Sequence, residues 1–350
     1  MSLASSPSGA ASSTEPPLLI VLPVRNGADY IRQTVASLVA QSDRQWRLIV
    51  LDNASTDATR EAVRSFGDQR IELVESDRAL DIYQSWHRGL AVAERHSAEN
   101  PLLTFVGHDD WFYPDFVATA KRMAAAHPQA TLYQVLLDLV DGTGKVIRPG
   151  KPVPQRETWL DMAAMMAWNF RDSVGTGYFF RARDYVRVGG MPYLPRILHA
   201  DHLLFLRLAR LGYKHADQNR GCAYRLHSGS TSGAMSAAKI NDQVEAYAGF
   251  VDALVVEFSE ITQSDLGRTA MQTWIGRELY LFDTPAVLAC LTPANRQRVA
   301  DLRRRLEEFG GEARADHWSY QARGRLYRGL RHVKLHLRFG YARWRARRGG

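Results

Sequence analysis

Four short polar clusters in this sequence could do chemistry. Asp109 and Asp110 are adjacent carboxylates directly after the apolar run Leu102–Val106. Two such groups repel each other, so a site that keeps both charged usually offers a cation or hydrogen-bond donors. A hard divalent ion takes oxygen ligands and can bridge substrate phosphates. Placed there, it would offset the charge building on a departing diphosphate. The other reading is a solvated loop in which Asp110 caps the next helix. Asp52–Asn53 ends a second apolar run, Trp46–Leu51. Its side-chain oxygens could accept from a nucleobase imide or ribose hydroxyls, or merely make the turn. Asp201 stands at the start of the helical pattern His199–Leu211, a place that suits an N-cap or a general base. His227 lies in the polar stretch Tyr224–Ser232. A neutral imidazole there could complete a metal site, meet a phosphate, or be structural.

These clusters need elements to carry them. Leu18–Leu22 is a continuous apolar run that reads as a strand buried on both faces. Ala28–Gln41 follows with Ile31, Val35, Leu38 and Val39 at helical spacing. Trp46–Leu51 predicts a second strand, and Ser55 a cap for a helix from Thr56 to Phe66. Ile71–Val74 predicts a strand, Ile82–Arg95 a helix, Leu102–Val106 a strand and Asp115–Ala126 a helix. Thr131–Val140 predicts a further strand, followed by a Gly turn at Asp141–Gly144. Residues 236–310 read as mostly helical. Strands alternating with helices imply a doubly wound, mostly parallel α/β sheet. In such a sheet ligands bind beyond the carboxyl ends of the strands. Pro23–Val24–Arg25–Asn26, Asp52–Asn53 and Gly107–His108–Asp109–Asp110 should therefore line one crevice.

The bulk numbers bound the reading. The 350 residues are 45% apolar and 23% charged, which suffices for a sizeable core. The net charge of +8 is concentrated at one end: residues 321–350 hold ten Arg or Lys and no acid, leaving −2 for the rest. Within that tail Leu326, Leu330, Val333, Leu337, Tyr341 and Trp344 recur at helical spacing. That predicts a basic amphipathic helix suited to an anionic membrane surface, or a helix packed on the main domain, or a basic arm. A near-neutral main domain without a recognised motif argues against a nucleic-acid partner. Two cysteines make no disulfide framework, so a reducing cytoplasmic location is expected. Residues 1–17 carry no basic residue and read as a disordered leader. No apolar run reaches the length of a membrane span. There is no P-loop, H-E-x-x-H or G-x-S-x-G, and Gly175-Thr176-Gly177 is too short to be a dinucleotide fingerprint.

Taken together, the motifs resemble family-2 glycosyltransferases of the GT-A fold. The segments are LLIVLPVRNGADYIRQTVASLVAQS, WRLIVLDNASTDAT, IYQSWHRGLAVA, LLTFVGHDDWFYPDF, VGGMPYLPRILHADHLLFLRLARLGYK and YRLHSGSTS, in that order over roughly residues 18–233. The resemblance implies a GT-A domain over 18–235, with a helical extension over 236–320 and the tail over 321–350. It implies nucleotide contacts from Pro23, Val24, Arg25, Asn26, Asp52, Asn53, His87 and Asp109. It implies Mn²⁺ or Mg²⁺ held at Asp109, Asp110 and His227, and Asp201 as the general base. The partners implied are a nucleotide-sugar donor, UDP-linked by preference, and a glycan or lipid-linked acceptor at the cytoplasmic membrane face. Four positions depart from the family pattern: Asn53 for Asp, Gly107 for the first Asp of D-x-D, Ala200 for the Glu of the E-D pair, and His87 for Asn. The processive Q-x-x-R-W motif is absent, so transfer of one sugar, with inversion, is expected. The competing expectation is a GT-A-like module that binds nucleotide or glycan without catalysis.

Overall fold

The computed structural model describes residues 16–172, 174–227, 237–282 and 284–311. Most of the expected leader and the whole basic tail lie outside the described residues. The chain opens with β1 (Leu18–Val24), α1 (Ile31–Val39), β2 (Trp46–Asp52), α2 (Thr59–Arg64), β3 (Ile71–Val74), α3 (Ile82–Arg95) and β4 (Leu102–Phe105). Next come β5 (Trp111–Phe112), α4 (Phe116–Ala126), β6 (Leu132–Val140), β7 (Val146–Pro149), β8 (Arg156–Glu157), α5 (Trp159–Ala167), β9 (Tyr178–Arg181) and α6 (Ala182–Arg187). A 3-10 turn at Pro195–Ile197 leads to α7 (Ala200–Arg210) and β10 (Lys214–Arg225). Four helices follow: α8 (Ala237–Glu257), α9 (Asp265–Phe282), α10 (Pro285–Cys290) and α11 (Pro293–Glu308).

The sheet runs β3-β2-β1-β4-β9-β6-β10-β5, with β7 on β6 and β8 on β10. The first four strands are all parallel, as alternating strands and helices require. β9 then enters antiparallel between β4 and β6, and β10 returns parallel to β6. β1 is buried along its whole length because both of its faces are covered. Leu18, Ile20 and Leu22 pack with Ile31, Val35 and Leu38 of α1 and with α4. Leu19 and Val21 face the opposite core with Val92 of α3. That second core continues without a break into α5, α7, α8, α9 and α11. The helical extension thus buries its apolar side against one face of the sheet.

One buried cluster in this second half is ionic. Glu157 accepts both from Arg171, at 2.6 and 2.5 Å, and from the Lys214 ammonium. All three side chains are at most 1% exposed. One carboxylate therefore faces two cations. Burial is the main reason the Lys214 pKa falls to about 7, with the Arg171 charge adding to the fall.

Helix starts differ from the sequence reading for a local reason. Ser55 does not cap a helix: its Oγ accepts from Asn26 N at 2.9 Å, and Thr56 N donates to Asn26 Oδ1 at 2.8 Å. Those bonds tie the loop to its neighbour, and α2 begins only at Thr59. Asp201 is likewise not the cap of α7. His199 holds that place with a left-handed backbone, φ 62°, and Asp201 is the second residue of the helix.

Candidate active site

The carboxyl ends of β1, β2 and β4 deliver three loops to one edge of the sheet, where they are cross-tied. Asn53 N donates to Val24 O at 2.8 Å. Gly27 N donates to Thr59 Oγ1 at 2.8 Å. A Cβ built on Gly27 would sit 2.6 Å from the His108 ring, so only glycine lets the first loop lie against the third. Thr34 Oγ1 bonds the carbonyls of both His108 and Asp110 at 2.7 Å. Burial holds the His108 pKa below the ordinary imidazole value. The convergence expected of these three clusters is therefore present.

Individual residues play different parts. Asp52 is fully buried: Oδ2 accepts from Ser55 N at 3.2 Å, and Arg60 Nε lies 3.7 Å away. Its Oδ1 is buried and has no hydrogen-bond partner among the described residues. The Asn53 amide clasps the next loop instead: Nδ2 donates to Leu80 O at 3.0 Å and Oδ1 accepts from Leu80 N at 2.6 Å. Pro23 and Val24 are buried in the end of β1, so their side chains pack inward. Arg25 and Asn26 are exposed at the rim, Asn26 with a φ of 54°. His87 places Nδ1 3.2 Å from Met191 O and stacks on Tyr83 with ring centroids 5.0 Å apart.

The two adjacent carboxylates separate in role. Asp109 Oδ2 pairs with His227 Nε2 at 2.9 Å. Asp110 turns inward and is 2% exposed. Its Oδ2 accepts from Thr176 Oγ1 and its Oδ1 from Arg225 N at 2.9 Å. Burial first, then the Asp109 charge, pushes the Asp110 pKa up to about 8. A Cβ at Gly107 would meet Asp109 Oδ1 at 2.6 Å, so the absent side chain leaves space that Asp109 fills. Among the described residues no group of three or more His, Cys, Asp or Glu side chains is arranged to hold a metal ion. Asp109 and His227 engage each other and together offer one oxygen and one nitrogen donor. Asp110 has both oxygens engaged by the protein.

Asp201 reaches the same crevice from the other half of the sheet. A Cβ at Gly175 would lie 3.9 Å from Asp201 Oδ2, and Gly175 adjoins the Thr176 that bonds Asp110. Asp201 Oδ1 accepts from His202 N at 2.8 Å. The segment before it is strained: Arg196, Ile197 and His199 have φ of 53°, 53° and 62°, values that non-glycine residues rarely adopt. His199 and His202 approach at 3.4 Å between Nδ1 atoms, and burial pulls the pKa of both down, that of His199 to about 3.

Sequence reasoning missed three residues that organise the site: Arg225, Arg88 and the Thr176 that bonds Asp110. Arg225 donates to Asp109 O at 2.9 Å and Gly142 O at 2.8 Å, bonds Gln33, and lies between the rings of Tyr30 and Trp111 at 4.5 and 4.9 Å. Arg88 of α3 donates to Asp52 O at 2.8 Å and Val74 O at 2.9 Å, closing the ends of β2 and β3. Arg225 had a signal, being two residues before His227. Thr176 also had one, since small residues flank it on both sides. Arg88 gave none, because a basic residue on a half-exposed helix is ordinary.

Residues 19–183 match the family model described as glycosyl transferase family 2. That stretch is similar to the family-2 glycosyltransferases, and the fold is of the GT-A type. Glycosyltransferase GlyA of Streptococcus pneumoniae is 30% identical over 110 residues, covering 30% of this chain and 14% of that protein. The putative teichuronic acid biosynthesis glycosyltransferase TuaG of Bacillus subtilis is 31% identical over 106 residues, covering 29% and 39%. The chain thus spans less than half the length of either relative. The crystal structure of S. aureus TarS residues 1–349 in complex with UDP-GlcNAc is similar in fold, with a TM-score of 0.60. It covers 84% of this chain and 81% of its own at 15% identity. Among the described residues no helix is long and apolar enough to cross a membrane.

Proposed function

We propose that this chain transfers one sugar, with inversion, from a nucleotide-sugar donor to a hydroxyl of a glycan or lipid-linked acceptor. The observation that carries the reading is the meeting of three strand-end loops with Asp201 in one acidic crevice. Asp201 Oδ2 accepts no hydrogen bond among the described residues and faces glycine, which leaves room for a hydroxyl. Asp201 would take the acceptor proton as that oxygen forms its bond to the anomeric carbon. The bond from that carbon to the diphosphate breaks, and its electron pair leaves with the nucleoside diphosphate. The buried, unpartnered Oδ1 of Asp52 would accept from a base or ribose donor group that reaches it. Asp109 and His227 would hold Mn²⁺ or Mg²⁺, and such an ion would neutralise charge on the diphosphate. TarS was crystallised with UDP-GlcNAc, which makes UDP-sugars the first donors to test.

The experiment is a screen of nucleotide sugars with Mn²⁺ by thermal shift, followed by hydrolysis and transfer assays. A bound donor raises the melting temperature by mass action. Asp201→Asn should lower turnover by about 10²–10⁴-fold with donor binding kept. Near-normal turnover in that variant removes Asp201 from the role, and full activity after EDTA removes the metal. Binding without any transfer or hydrolysis would favour a non-catalytic module, a reading that the engaged Asn53 amide supports. The basic tail fits a peripheral position on an anionic membrane at the cytoplasmic face. Liposome sedimentation of the full chain against residues 1–320 tests it; equal partitioning ends that part.

A further inference from the structure

Asp201 is flanked by two histidines that the proposed chemistry leaves unused, and they meet each other. His199 and His202 approach at 3.4 Å between their Nδ1 atoms, a long hydrogen bond. Burial lowers the pKa of both rings, so both are neutral near pH 7. Two neutral imidazoles make this contact in one way: one ring carries its proton on Nδ1 and donates, and the other keeps its Nδ1 lone pair and accepts.

The contact joins two backbone features on either side of Asp201. His199 precedes α7 with φ 62°, a left-handed state that a ring-bearing residue adopts at a cost. In that state its carbonyl still accepts from Leu203 N at 3.1 Å. Its ring stacks on Phe250 of α8 with centroids 5.4 Å apart and stands edge-on to Tyr247 at the same distance. His202 meets the same Phe250 edge-on at 6.2 Å, and its backbone N donates to Asp201 Oδ1 at 2.8 Å. The Nδ1 contact thus ties the residue that makes the turn to the residue that holds the carboxylate. A second observation concerns the far side of the His202 ring. Its Nε2 is buried and has no partner among the described residues. A nitrogen desolvated without a hydrogen bond is a net cost to folding, so an apolar ring would serve the packing better. The imidazole has an advantage at this position only through Nδ1.

We infer that His199 and His202 are positioning residues for Asp201: their Nδ1 contact fixes the left-handed turn and, with it, the direction in which Asp201 Oδ2 points. Both act through Asp201 and not on a ligand. The inference rests on the transferase reading, which it deepens by assigning what orients the base.

Two substitutions at His202 separate this role from packing. His202→Phe keeps a ring and removes the unpartnered nitrogen, so the melting temperature should hold or rise. It also removes Nδ1, and kcat should fall about 10–10²-fold with the donor KM unchanged. His202→Asn leaves a smaller side chain, so the melting temperature should drop. It places an amide atom where Nδ1 was, and most of the turnover should be kept. A residue that only packs would give the opposite ranking, with activity following stability. A second measurement needs no substrate: hydrogen exchange of the peptide over residues 199–204, read by mass spectrometry. That peptide carries the N–H bonded to Asp201, and its exchange should quicken in His202→Phe and stay slow in His202→Asn. Normal turnover in His202→Phe, turnover in His202→Asn no better than in His202→Phe, or exchange that fails to quicken in His202→Phe overturns the inference. The expected exchange pattern in a protein that transfers sugar from no donor would leave the histidine contact standing and refute the transferase reading.

Discussion

The two halves of the sheet are held together by different means. Around β3, β2, β1 and β4, most of the ties between loops are neutral hydrogen bonds, such as Asn53 on Leu80 and Asn26 with Ser55, and the Arg88 guanidinium closes β2 on β3 through two backbone carbonyls. Around β9, β6 and β10, buried charge does the joining: Glu157 sits between Arg171 and Lys214, drawn from β8, the start of the 171–177 loop and β10. A neutral clasp lost costs one or two hydrogen bonds. A buried charge stripped of its partner costs far more, because nothing else in the interior solvates it. The half that presents Asp201 should therefore be the more fragile to single substitutions.

The sharpest way to break this contrast is Glu157→Gln. It leaves two buried cations without a counter-charge, and the expected loss is about 3–5 kcal/mol by denaturant titration. A cost below about 1 kcal/mol would abolish the distinction between the halves. Next comes Asn53→Ala in the other half, which orphans the Leu80 amide and carbonyl. About 1–3 kcal/mol is expected, and donor affinity should drop with it as the 75–81 loop loosens. Lys214→Met sharpens the comparison through pH. The folded pKa of Lys214, about 7, lies below its ordinary 10.5. Between those values the unfolded chain holds the extra proton, so wild-type stability climbs as pH rises; below about 7 the penalty is fully present. The Met variant leaves the Glu157–Arg171 pair intact. Its melting temperature relative to wild type should be most favourable below pH 7, and that advantage should shrink toward pH 10.5. A difference that does not vary with pH would locate the titration elsewhere. The smallest effect is Glu72→Ala: its bridge to Arg95 joins two half-exposed side chains, and no more than about 0.5 kcal/mol should change.

The same contrast explains what could be read in advance. β1 to β4 and their helices were legible because apolar runs and helical spacing are local signals, and the rule for strand ends placed Asp52 and Asp109 correctly at one edge. β9 was not read: Tyr178–Arg181 is four residues long and is defined by its two antiparallel neighbours. β10 was hidden by the polar stretch Asp217–Arg220, where its register on β6 shifts. Ser55 looked like a cap because capping is what Ser does before a helix. Its partner, Asn26, lies 29 residues away. The differing fates of Asp109 and Asp110 were equally unreadable, since they depend on Thr176 arriving from the loop before β9 and Arg225 from the end of β10.

The left-handed run at Arg196, Ile197 and His199 has one further consequence. Backbone held in such states stores of order 1–3 kcal/mol per residue, and survives only where its surroundings over-determine it. Asp201 is thus kept at its post by a loaded spring whose catch is the packing of α7 against α8. Substitutions far from the crevice, on the buried side of α8, can release that catch and move the carboxylate without touching any residue that meets a ligand.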